Sequence, residues 1–135
     1  MSRATRKRAA PCAPDKDGSP RSLQGNWLLR DVVEVDASGN VTAAPYGTHP
    51  SGRLIYTCEG TMAVVIREYG TSPGVAYAGE AIQVARDQIR HAIRVGFPPY
   101  TEDQVRQVWF TDETKLVLAT EVVDGRSVEL HWERC

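Results

Sequence analysis

The chain has 135 residues, 41% of them hydrophobic and 24% charged, with 11 Gly, 8 Pro, 3 Cys and 3 Trp. That length fits one domain with a real core, and the composition excludes collagen-like, disulfide-dense and wholly disordered classes. Sixteen Lys and Arg against seventeen Asp and Glu leave a net charge of −1, without the basic excess of a nucleic-acid binder.

Residues 1–20 lack periodicity, and five basic and two acidic side chains make this segment +3. Ala9-Ala10-Pro11 and Gly18-Ser19-Pro20 break any regular structure, so a disordered basic tail is expected before a folded domain over 21–135. Arg3, Arg6, Lys7 and Arg8 have no apolar run behind them, which argues against a secretory signal. A run of about 18 apolar residues, as a membrane span needs, is also missing. Cys12, Cys58 and Cys135 are widely spaced with no C-x-x-C, so neither a zinc site nor a redox dithiol is indicated. The expectation is free thiols in a cytoplasmic protein.

From Leu23 onward the pattern is that of strands. Trp27, Leu29, Asp31, Val33 and Val35 alternate on one face, and Ala37-Ser38-Gly39-Asn40 ends the run. A loop rich in Pro and Gly leads to a strand over 53–58. The turn Glu59-Gly60 then opens a strand over 61–68, with Met62, Val64 and Ile66 on one face. Further strands are expected over 76–85, 88–95, 104–111, 115–122 and 127–134. The β-branched Ile82, Val84, Ile89 and Ile93 favour strand over helix in the one ambiguous stretch. Eight antiparallel strands with hairpin-length links hide their edges best by closing up-and-down into a barrel, so the fold class is all-β.

Several segments resemble the bacterial and fungal lipocalin-like domain family. Leu23-Gln24-Gly25-Asn26-Trp27 is similar to the L-x-G-x-W opening of such barrels. Residues 45–57 are similar to a Y-G-x-x-P-x-G-x-L-x-Y stretch, and Gly60-Thr61-Met62, Tyr77-Ala78-Gly79, His91 and Leu130-His131-Trp132-Glu133-Arg134 follow in order. The likeness departs before Tyr77, where only 69–75 stand in place of a helical insertion. The resemblance implies an eight-stranded lipocalin-like barrel in which Arg134 covers Trp27 at the closed end. An inward Arg134 sets Trp132, Leu130 and Val128 inward as well.

With that phase, the candidate ligand-lining residues are Leu29, Val33, Tyr46, Tyr56, Met62, Val64, Ile66, Ile93, Trp109, Leu118 and Trp132. Trp109 and Phe110 cannot both point inward, and Trp109 is taken as the inner one. Val95 shares the face of Ile89, His91 and Ile93. Such a lining suits one apolar molecule. The candidate catalytic residues are His91, Tyr77 and Asp31. Desolvation favours neutral His91, which is either a general base or a core histidine bonded to a tyrosine or to backbone. Asp31 must be paired or close to water, and Tyr77 can donate to a ligand carbonyl or anchor the rim.

Metal-ligand spacing is lacking at His49, His91 and His131, and phosphate-binding and nucleophile-elbow motifs are absent, so no metal and no cofactor are expected. The resemblance implies a cofactor-independent cyclase or isomerase, including [4+2] cycloaddition, that folds a polyketide-type intermediate in natural-product biosynthesis. The alternative is a non-catalytic intracellular binder of an apolar metabolite. Either way the expected partner is an apolar small molecule, with no nucleic acid or membrane, and the protein is a monomer or homodimer.

Overall fold

The computed structural model describes residues 23–100 and 102–135. The expected basic tail and Cys12 lie outside these residues. The strands are β1 (Gly25–Asp36), β2 (Val41–Ala43), β3 (Gly52–Tyr56), β4 (Thr61–Ile66), β5 (Val75–Ala85), β6 (Gln88–Gly96), β7 (Gln104–Asp112), β8 (Lys115–Ala119) and β9 (Arg126–Arg134). All neighbours are antiparallel, and β1 pairs with β9 to close an eight-stranded up-and-down barrel. The short β2, which alternation did not reveal, folds back on the far end of β1 as an outside ninth strand.

Up-and-down topology sorts the connections by end. Links β1–β3, β4–β5, β6–β7 and β8–β9 form the mouth, and the tight turns plus the end of β9 form the floor. On the floor Arg134 lies 4.2 Å from the centroid of the Trp27 ring, and its Nη1 donates to the Gln24 carbonyl at 2.8 Å. Trp27 Nε1 donates to the Leu23 carbonyl at 2.8 Å, and Phe110 tilts against the same indole. Gly25 holds φ at 132°, and a Cβ there would sit 2.9 Å from Arg134 Nη1. The glycine two residues before Trp27 is thus needed for both backbone and lid.

Two bulges alter the expected phase. In the β1–β9 ladder Leu29 opposes Trp132, and the next matched pair is Asp31 with His131. Arg30 is therefore an extra residue, and the alternation reverses beyond it. Val32 turns inward and is fully buried, whereas Asp31 is exposed and Val33 moves to the outer face. Asp31 and Val33 are thus corrected from inner to outer residues. In the β5–β6 ladder Gly79 opposes Ile93 and Ala78 opposes Val95, with Arg94 extra. Val95 is turned out and 66% exposed, another correction. A side chain at Gly79 would run into the Ala92 carbonyl, so only glycine permits this close approach.

The β7 phase also differs from expectation. Phe110 opposes Leu116 inside the barrel, and Trp109 is 39% exposed on the outside. The inner face of β7 is therefore Gln104, Arg106, Val108 and Phe110. Cys58, in the turn before β4, is disulfide-bonded, and Cys135 is free. That corrects the free-thiol expectation at Cys58 and leaves it standing at Cys135.

Replacing Arg134 by Ala removes a cation–π contact and a hydrogen bond at the floor, so stability should fall by about 2 kcal/mol. Arg134→Lys should recover only part of this, because a point charge cannot stack and donate like a planar fork. Urea unfolding with an unchanged slope is the measurement.

Candidate functional site

The barrel wall is largely aliphatic, and Leu29, Leu54, Met62, Val64, Ile66, Leu116 and Leu118 are all buried in one cluster. Into this interior β3, β5 and β6 send polar side chains. Tyr56 ends β3, Tyr77 follows Val75 on the inner face of β5, and His91 is central on β6. Tyr56 Oη lies 2.7 Å from His91 Nε2, and Tyr77 Oη lies 2.6 Å from His91 Nδ1. His91 is only 2% exposed, and both of its ring nitrogens are occupied.

Burial, reinforced by the Arg106 guanidinium, pushes the His91 pKa down to about 3. Burial also lifts the Tyr77 phenol to about 12 and raises that of Tyr56. All three groups are neutral at pH 7, and their protons can be counted. A neutral imidazole has one donor and one acceptor nitrogen. One tyrosine must therefore donate to His91, and the other must accept from it. The accepting tyrosine keeps its own O–H for a further acceptor. A triad of this kind leaves one phenolic proton for an acceptor outside it.

Arg106, on the inner face of β7, acts electrostatically on His91, Tyr56, Tyr77 and Tyr100. Arg106 also lines a cleft of about 520 Å³ at the mouth. That cleft contains Glu34, Glu102, Asp103, Glu121 and Asp124 against Arg106 and Arg126. Its carboxylate excess disfavours an anionic ligand. Around the mouth, Val41, Tyr69, Phe97, Val122 and Val123 are exposed, Phe97 by 80%. The mouth thus combines exposed apolar side chains with a cleft lined by charged ones.

Of the expected site residues, the structure brings together Tyr56, Tyr77 and His91. Leu29, Met62, Val64, Ile66, Leu118 and Trp132 are buried in the surrounding cluster, and Ile93 packs against it half-buried. Tyr46 donates to the Pro73 carbonyl at 2.8 Å and ties two mouth links together. Asp31, Val33 and Trp109 point away. Arg106 and Gln104 were not anticipated. They follow directly once Phe110 rather than Trp109 is taken as inward, because β7 alternates. Among the described residues, no group of three His, Cys, Asp or Glu side chains is placed to hold a metal.

Unfolded chain binds a proton at a histidine near 6.5, and the folded chain binds it only near 3. The His91 contribution is therefore complete above about pH 6.5 and declines as pH falls towards 3. Between pH 7.5 and 5 its share is about 2 kcal/mol. His91→Gln keeps a donor and an acceptor but does not titrate, so its urea midpoint should fall less over that range. Parallel curves for the two proteins contradict a neutral, buried His91.

A search of curated proteins found no match. Among solved structures, a redesigned β-barrel aligns with a TM-score of 0.46 and 14% identity, over 84% of this chain and 91% of that one. The family described as "Lipocalin-like domain" matches residues 24–93, more than half of the 135 residues, and such a domain suggests small-molecule binding. The matched segment carries the Gly25–Trp27 opening, both tyrosines and His91, and the chain belongs to the lipocalin-like domain family.

Proposed function

We propose that the barrel takes up an uncharged, largely apolar small molecule and promotes its cyclisation or isomerisation without a cofactor. The observation that carries this reading is the Tyr56–His91–Tyr77 triad: an apolar interior holding one outgoing phenolic donor. A ligand carbonyl that accepts this proton is polarised towards addition at its conjugated carbons. In a [4+2] cycloaddition two σ bonds form as two π bonds are lost, so no base, metal or redox partner is needed. The protein's contribution is to hold a flexible chain in a reactive conformation and to stabilise charge developing on the carbonyl oxygen.

Within this scheme His91 is a positioning residue. Both of its nitrogens are engaged by phenols, which leaves none to take a proton from substrate. The general-base role weighed from sequence therefore passes over to hydrogen-bond donation by a tyrosine. The same observation favours a second reading, a non-catalytic binder, because a triad without a free base serves recognition equally well.

A linear triene bearing an α,β-unsaturated ketone is a suitable assay substrate. Ring formation should be faster with protein than without it, and no cofactor should be needed. The double variant Tyr56→Phe/Tyr77→Phe deletes whichever phenol serves the ligand and should slow the reaction by about tenfold or more. Binding of the triene with an unchanged rate of ring formation rejects the enzyme and leaves the binder.

A further inference from the structure

Two tryptophans lie inside the barrel, and they differ in one respect. Trp27 and Trp132 are 0% and 2% exposed. Trp27 Nε1 has the Leu23 carbonyl, whereas Trp132 Nε1, itself shielded from solvent, has no acceptor among the described residues. An indole nitrogen only donates, so it can neither turn acceptor nor lose its polarity by titration. Its cross-strand neighbours are Leu29 on β1 and Leu116 on β8, both buried and both without a side-chain acceptor. A trapped water needs roughly two to four polar partners, which those side chains do not offer. A phenylalanine would fill such a position with no polar cost, so the unpartnered N–H calls for a physical reason.

We propose that Trp132 Nε1–H is a second, deeper donor for the molecule bound in the barrel, and that it receives a neutral oxygen acceptor such as a carbonyl. This rests on the reading of the barrel as a ligand binder. A carboxylate is disfavoured there, because the surroundings are aliphatic and Arg134 is stacked on Trp27 and bonded to Gln24. The ligand class is thereby narrowed to an apolar body with two oxygen acceptors. One meets the outgoing phenol of the tyrosine–histidine triad, and the other meets Trp132.

The test uses the full-length ¹⁵N-labelled protein, whose three tryptophans give three indole N–H signals. The probes are 2,9-decanedione and decane, alike in shape but different in acceptors. The signal absent from Trp132→Phe should shift on adding 2,9-decanedione and stay in place with decane, and the Trp27 signal should not respond as a hydrogen-bond donor to either. Trp132→Phe should weaken binding of 2,9-decanedione about three- to tenfold more than it weakens binding of decane. The proposal is overturned if 2,9-decanedione binds and leaves the Trp132 signal in place, or if the variant weakens both probes alike. Should neither probe bind, the ligand-binding reading itself fails. A variant that does not melt cooperatively leaves the wild-type spectra to decide.

Discussion

The interior depends on one hydrogen-bonded constraint: an imidazole buried in aliphatic surroundings must have both nitrogens satisfied. Tyr56 and Tyr77 do this from β3 and β5, either side of β4, while His91 sits on β6. Loss of one phenol leaves a buried polar atom unpaired at a cost of about 1–3 kcal/mol. The triad thereby pins the relative register of half the barrel wall. It also leaves one phenolic proton for an acceptor outside the triad, and on the proposed reading the same group is both a structural brace and a binding element.

Strand order makes this arrangement possible, and the bulges refine it. The bulge beyond Tyr77 keeps Gly79, Ile93 and His91 inward while Val95 turns out. The bulge at Arg30 puts Val32 inward, where a carboxylate at Asp31 would otherwise have faced the core. Carboxylates gather instead at the mouth, where water reaches them and Arg106 and Arg126 oppose them. The barrel is therefore graded from a charged mouth, through the tyrosine–histidine layer, to a floor sealed by Trp27 and Arg134.

Much of the fold was legible from alternation and turn residues. The strand over 61–68 predicts β4, and the eight expected strands correspond one by one to the eight that close the barrel. The Trp27–Arg134 lid came from family resemblance, and its geometry follows from the close approach at Gly25. Side-chain direction was readable only as far as the next bulge, because an extra residue leaves no mark in a hydrophobic pattern. Asp31, Val33 and Val95 were misplaced for that reason. At Trp109-Phe110 two aromatic neighbours compete for one inward position. Taking the wrong one hid Arg106. His91 was foreseen both as a base and as a tyrosine-bonded core residue. The second description fits its contacts, since neither nitrogen is free.

The most direct measurement is ¹⁵N NMR of the His91 ring in the full-length protein as pH is lowered from 7 to 4.5. Burial between two phenols predicts one protonated and one unprotonated nitrogen throughout that range, in a single tautomer. An imidazole that gains its second proton with a midpoint near 6.5 would contradict the triad on which both the fold and the proposed site rest.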